Sequence, residues 1–411
     1  MKINPSERGQ ALVVIAIAIV LLVGVLGLVI DGGNAFLDRR NAQSAADSAA
    51  LAAALTRIRG EQDWVATALT AAANNGYDND GVKNTVAVYS PPADGPYAGN
   101  IEYIQVIIVS HVETYFAKVI GMSRVTNTLE ATARSKPSEA REILHGMAIV
   151  SLAPTSNCAN NKAFWIHGNA ELDITGGGVF VNSNNQDCAF LQQGNGSIHI
   201  QGGGITVVGG VSIQKPQLLT SGVTVGGIPM NYPPPFFMPN ASCGDEIAQI
   251  NTDGVSMSPG SWSEKFPPDA VTNLDPGAYC LEDGIDLTGN QTLVGEGVVF
   301  IILGGEVHFG GDVNVTLSAP VSGDYKGLLI YAPMEIETEI TLNGGPSSTF
   351  EGTILAPASD IVINGNSSST GFHSQIIGYR VNVDGSSKVA IVYNDEQNYD
   401  AVTMPEVQLS E

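Results

Sequence analysis

From Ala11 to Ile30 the chain reads ALVVIAIAIVLLVGVLGLVI, twenty consecutive residues without a polar side chain. As a helix this run rises about 30 Å, the thickness of the hydrocarbon core of a bilayer. The pattern changes at Asp31-Gly32-Gly33, which reads as a hinge. Beyond it Ala42, Ala45, Ala46, Ala49, Ala52 and Ala53 recur at helical spacing. Such a stripe predicts a helix face built for close approach, where a partner helix could pack. A second helix is predicted from Glu61 to about Asn75. The following Asp78-Asn79-Asp80-Gly81 reads as an Asx-type turn, because the remaining ligand positions of a calcium loop are missing.

The period then shortens to two. Alternating strands are predicted over 82–90 and 101–110, a short helix over 112–122, and a strand in which Val125, Leu129, Ala131 and Ala133 share one face. Together these make a small αββαβ module within 31–140. Past residue 145 the chain repeats itself: GNAELDITGGGVFV (168–181) aligns without gaps to GNGSIHIQGGGITV (194–207), an offset of 26 residues. A shorter element, apolar-x-apolar-polar-Gly, starts at 172, 198, 285, 307, 340, 361 and 381. Short strands ended by glycine turns every 20 to 26 residues predict a right-handed parallel β-solenoid over 145–395. The alternative is a β-sandwich, whose strands also alternate. Between 215 and 276 the pattern lapses into a Pro-rich insertion containing YPPPFFMPN, a loop or cap whose Tyr and Phe form a contact surface or pack over the solenoid. Residues 396–411 read as an acidic tail. The expected fold class is mainly β with α+β.

Charge and cysteines narrow the function. A net charge of −23 with only 18 basic residues excludes nucleic acid as a partner. Cys158, Cys188, Cys243 and Cys280 all follow the apolar run and lack metal-ligand spacing, so up to two disulfides in an oxidising compartment are expected. Pairing each with its sequence neighbour is one of three connectivities. Lys2 and Arg8 before the run balance Arg39 and Arg40 after it, so the cysteines decide the orientation. Residues 1–10 are then cytoplasmic, 11–30 a single-pass anchor, and the bulk extracytoplasmic. The outward positions of the short repeat hold Asp173, His199, Asp286, His308, Thr341, Val362 and Asn382. Asp173 and His199 could stack as an acid/base or metal pair, but the basic residue that solenoid enzymes place beside such groups is not nearby in sequence. No catalytic, cofactor or metal residues are expected, and the chain reads as a non-enzyme.

The run ERGQALVVIAIAIVLLVGVLGLVIDGGNAFLDRRNAQSAADSAALAAA (7–54) resembles the N-terminal region of the TadG-like proteins of the tight-adherence, or Flp, pilus-assembly system. The matching positions are Arg8 and Gly9 before the anchor, Asp31 after it, and an AlaAsp-x-AlaAlaLeuAla helix from Ala46 to Ala52 that contains Asp47. VETYFAKVIGMSRVTNTLEATARS is similar to the family's common ending of this module. The resemblance implies a membrane-anchored structural protein of pilus assembly or cell-surface adhesion. Its partners would be the lipid bilayer, pilus-system or envelope proteins, and surface glycans. Pilins carry Glu five residues beyond the processing glycine; counting from Gly9 that residue is Val14, so the anchor is expected to stay uncleaved. The alternative is a membrane-tethered carbohydrate-active or glycan-binding solenoid.

Overall fold

The computed structural model describes residues 7–142, 144–343, 348–364, 371–385 and 388–410. Residues 1–6 of the expected cytoplasmic segment, Gly344 and Gly365 of the repeats that start at 340 and 361, and Glu411 lie outside them. The chain divides into two compact units, 1–139 with 404–411, and 140–403.

In the first unit, α1 (Glu7–Ile58) is one uninterrupted helix, so the expected hinge at Asp31-Gly32-Gly33 is absent. A helical glycine costs about 1 kcal/mol relative to alanine, which a long helix supported on both sides absorbs. Ala42, Ala45, Ala46, Ala49, Ala50, Ala53 and Ala54 are fully buried, whereas Ala52 is half-buried. The close approach that the stripe predicts is present, but it is the chain itself that covers the stripe. The covering elements are α2 (Trp64–Asn74) and an antiparallel sheet of β1 (Asn84–Tyr89), β2 (Tyr103–Glu113) and β3 (Arg124–Lys136). Val86, Ile104, Val106, Ile108, Leu129, Ala131 and Ala133 alternate inward onto the alanines.

Two expectations fail here. The helix expected over 112–122 is the end of β2 followed by a single 3-10 turn, Ala117–Ile120. The expected acidic tail is ordered: Glu406–Ser410 pairs antiparallel with β3, and Asp400–Thr403 is a strand of the second unit. At 78–81, Asp80 Oδ1 accepts the backbone N–H groups of Val82, Lys83 and Asn84, the geometry of an Asx-type turn.

The second unit is a stack of coils whose strands lie on three ladders, parallel apart from the end pair Gln249–Ile250 with Ser256–Ser258. The first ladder runs, in spatial order, Val223–Val225, Ile205–Val207, Gly178–Val181, Met147–Ser151, Ile376–Asp384, Thr353–Asn364, Leu328–Tyr331, Val298–Ile302, Gly277–Leu281 and Gly260–Trp262. The 26-residue offset is one coil: Leu172 pairs with Ile198 and Val179 with Ile205 in register. The triple glycines stack because a Cβ at Gly203 would lie 2.3 Å from the Gly177 carbonyl oxygen. The short repeat, by contrast, merges two ladders. The copies at 285, 307, 340, 361 and 381 pair successively on the second ladder, whereas those at 172 and 198 pair on the third.

The chain enters this stack in the middle. Met147–Ser151 pairs on one side with Gly178–Val181 and on the other with the late strand Ile376–Asp384. One arm of coils builds outward to Val223–Val225. The chain then crosses to the opposite end, and a second arm, beginning near Gln249–Ile250, returns to the middle. There Lys388–Val392 pairs with Glu171–Thr175, sealing the last coil onto the first.

The crossing segment is the Pro-rich insertion. It is neither a loose loop nor an end cap, but a strap along the outside of the first ladder. The Met230 N–H donates to Asn182 Oδ1, Tyr232 OH donates to the Pro357 carbonyl, and Phe236–Phe237 pairs with Asp400–Thr403. Further on, Tyr325 OH donates to the Asn240 carbonyl, and Cys243 is bonded to Cys280. The strap explains why the first ladder is apolar on both faces. Val150, Phe180, Leu355, Ile377, Tyr331, Ile301 and Val299 point out of the coils and are buried beneath or beside it.

Candidate functional site

The first candidate region is where the apolar run meets the αβ module. Asp31, the first residue past that run, is buried, and its carboxylate accepts three backbone N–H groups from the opening of the 3-10 turn. Tyr115 donates to Oδ1 at 2.9 Å, and Phe116 and Ala117 to Oδ2 at 2.9 and 2.7 Å. One helical turn earlier, a Cβ at Gly27 would lie 2.5 Å from Phe116 Cβ, so only glycine admits Phe116 there. Two turns later Asp38 is a second node. Its Oδ1 accepts Tyr77 OH at 3.0 Å and Ser110 Oγ at 2.9 Å, and its Oδ2 accepts Asn127 Nδ2 at 2.7 Å. Burial pushes the Tyr77 phenol up, and the Asp38 charge adds to it. Gly27, Asp31, Asp38 and the buried alanines therefore share one face of α1 and fix its exit from the apolar run against the sheet.

The Ala117 N–H, with those of Tyr115 and Phe116, holds the Asp31 carboxyl below its ordinary value against the opposing effect of burial. A lowered carboxyl stabilises the fold above its unfolded value, about 4, and loses that contribution as pH falls through the folded value. Asp31→Asn is therefore expected to lower the thermal midpoint of the detergent-solubilised chain at neutral pH. The gap to the wild type should close on acidification. A gap constant down to strongly acidic pH would show that the charge on Asp31 does not matter.

Among the other family-motif positions, Arg8 and Gly9 lie in α1, and Asp47 accepts Gln43 Nε2 at 2.8 Å along the same helix. Asp38 was not singled out by the sequence. Its signal was its seven-residue spacing from Asp31, in phase with the alanines.

The second candidate region is the seam of the solenoid. Asp173 and His199 are register partners on the third ladder, and with Glu171 their ligand atoms lie within 4.8 Å of one another. The basic residue missing from the sequence neighbourhood is present in space, which corrects the expectation. Lys388 Nζ reaches Glu171 Oε1 at 3.3 Å and Asp173 Oδ2 more closely still, because the last coil pairs with the first. These carboxylates, Asp173 foremost, raise the Lys388 ammonium. Lys388 bridges the two carboxylates and balances one of their two charges, so the cluster works as an ion-paired seam. Asp286, His308, Thr341, Val362 and Asn382 form a separate outward row on the second ladder, where Asp286 is bridged to Lys265 at 3.2 Å. At the corner between that ladder and the strap, Tyr232, Glu335, Glu337, Glu339, Asp360 and Arg380 line an open cleft, with Asp360 and Arg380 joined by two hydrogen bonds.

The four cysteines form two bridges, Cys158–Cys188 within the first arm and Cys243–Cys280 between the strap and the second arm.

No curated protein matches the chain. Residues 280–398 match a family described as a domain of unknown function (DUF7305). That match opens at the strap disulfide and covers the returning arm from there on, leaving out the first strands of that arm and the arm at 147–225. Residues 9–56 match the Tad family, described as Flp pilus-assembly TadE/G-like, and they coincide with the apolar run, Asp31, Asp38 and the alanine face of α1. The N-terminal region of this chain is thus similar to the Tad family of Flp pilus-assembly, TadE/G-like proteins.

Proposed function

We propose that the chain is a single-pass, extracytoplasmic structural protein of pilus assembly or cell-surface adhesion, working without catalytic turnover. The observation that carries this reading is the split of α1. Its alanine half is buried within the chain, while the side chains from Leu12 to Ile30 are almost all exposed and apolar, in a helix that matches the Tad family. A bilayer is the medium that removes such a surface from water. Two disulfides in the second unit favour an oxidising compartment and so support an N-terminus inside the cell, while Val14, where pilins carry Glu, supports an uncleaved anchor. The strapped solenoid then serves as a rigid spacer or adhesive surface for pilus-system or envelope proteins.

The test combines the mass of the N-terminal peptide with protease accessibility in intact, outer-layer-permeabilised cells. An intact N-terminus in the membrane fraction, with residues 140–403 reached by protease, is the expected result. Cleavage after Gly9 with recovery in sheared filaments would make the chain a pilin-like subunit instead. A pull-down that recovered no pilus-system or envelope protein would also count against the reading.

Lys388 beside Asp173 and His199 favours a second reading, a membrane-tethered protein that binds or cleaves glycans. Asp173 Oδ1 is also buried without a hydrogen-bond partner among the described residues. Asp173→Ala with His199→Ala is expected to leave glycan binding and cleavage unchanged on a polysaccharide panel. An activity that the double substitution abolished would establish the second reading at this seam.

A further inference from the structure

The turn that Asp31 holds sits beside the membrane-facing part of α1. Asp31 adjoins the last residue of the apolar run, and Gly27, against which Phe116 packs, lies inside it. At 1.5 Å per residue, Gly27 is about 4–5 Å short of the end of the run. A segment that touches α1 at this level shares its surroundings. Its side chains fit them: Tyr115 is 72% exposed, Val119 88%, Ile120 72% and Met122 54%. On the neighbouring helix Val23, Leu26 and Ile30 are exposed too, so the apolar surface of the turn continues that of the anchor. Lys118 within the turn and Arg124 just after it place positive charge where anionic headgroups lie, and Tyr115 has the amphipathic ring favoured at a membrane surface.

From this continuity we infer that the turn at 115–122 is a membrane-seated wedge. Val119, Ile120 and Met122 insert at the headgroup–hydrocarbon boundary of the leaflet on the C-terminal side of the anchor. The wedge gives the first unit a second point of attachment beside α1, which fixes its rotation and tilt about the helix axis. One insertion point leaves such a unit free to swivel; two do not. The inference rests on the anchor reading above, and it adds a bilayer contact that neither the apolar helix nor the family match contains.

All four cysteines are paired, so an introduced cysteine gives a single attachment point for a nitroxide. The full chain would be reconstituted in vesicles of phosphatidylcholine and phosphatidylglycerol and labelled in turn at Val119→Cys, Ile120→Cys, Ile15→Cys and Ile101→Cys. Ile15 lies in the apolar run. Ile101 is exposed and precedes β2, at the end of the sheet away from the turn. The reading is collision with oxygen, which concentrates in lipid, relative to a water-soluble nickel chelate. The ratio at 119 and 120 is expected to exceed that at 101 severalfold and to approach that at 15. A ratio at 119 and 120 equal to that at 101, with Ile15 in hydrocarbon, would overturn the wedge and leave the anchor standing. Ile15 in water would overturn both. Protection of 119 and 120 from both reagents would mean that protein covers the turn, and would overturn the wedge as well.

Discussion

Asp38→Ala is expected to destabilise the first unit by about 3 kcal/mol, roughly one for each hydrogen bond that the carboxylate accepts from a buried donor. Tyr77, Ser110 and Asn127 are each less than a tenth exposed, and all three donate to this carboxylate. With the carboxylate gone, Ser110 Oγ loses its acceptor, while Tyr77 and Asn127 fall back on the carbonyls of Asp38 and Ala35. Asp38, Tyr77 and Ser110 also line an open cleft, so water can replace part of what is lost and the figure is an upper value. Hydrogen exchange read by mass spectrometry on peptides of β2 and β3 should show protection falling about a hundredfold, the equivalent of that free energy. Asp38→Asn, which keeps one acceptor oxygen, should recover part of it. Unchanged exchange in β2 and β3 would mean that the alanine face alone holds the helix to the sheet.

The alanine face was legible because both partners obey their own period: three and four along α1, two along β1 to β3. What covers that face was not legible. A stripe of small residues announces close approach without naming its neighbour, and here the neighbour is a sheet as well as a helix. The turn at 115–122 misled for a related reason. Tyr115, Phe116, Val119 and Ile120 carry the spacing of an amphipathic helix, yet most of that apolar surface faces away from the chain's own core. Periodicity records which residues share an environment, and it does not say whether the environment is a core. Gly32 and Gly33 suggested a break for want of long-range information, since the support for the helix at that level comes from residues about 85 positions away.

The solenoid shows the same division. The 26-residue repeat gave the true register of one coil, Asp173 on His199, because stacked coils must match inward side chains position by position. The order of the coils was out of reach. Each coil demands the same pattern whether the next in space is the next in sequence or the last, so nothing local records that the chain starts in the middle of the stack. Hence Lys388 looked remote from Asp173 though the two pair across the seam. Neighbour pairing of the cysteines and the packing of YPPPFFMPN over the solenoid were both among the sequence alternatives. The Cys243–Cys280 bridge and that packing have one cause, the strap, which a lapse in periodicity marks without saying where it goes.

The strap also sets the second large effect. Replacing Cys243 and Cys280 by serine opens a loop of 37 residues. By chain entropy that costs about 4 kcal/mol, because the reduced chain gains freedom chiefly in the unfolded state. The native consequence is local. Met230 and Tyr232 remain held by Asn182 and Pro357, whereas the stretch between Met238 and Ala248 keeps the hydrogen bonds from Tyr325, the pairing of Glu246 and Ala248 with Ser261 at its far end, and its own packing over the second arm. Limited proteolysis of the double variant should therefore cut first between residues 238 and 248, at a concentration that leaves the wild type whole. Its unfolding midpoint should fall as well. The paired variant Cys158→Ser with Cys188→Ser opens a loop of 30 residues and should lose nearly as much stability, but without the new cut, because that bridge lies within one arm. If the strap variant were instead cut no faster than the other, packing of Phe236 and its neighbours would be enough to hold the crossing. The bridge would then act on the unfolded chain alone. Either way the cut site reports on the one segment that joins the two arms, and on whether the second arm can stay assembled once its outward apolar row, Val299, Ile301 and Tyr331, begins to meet water.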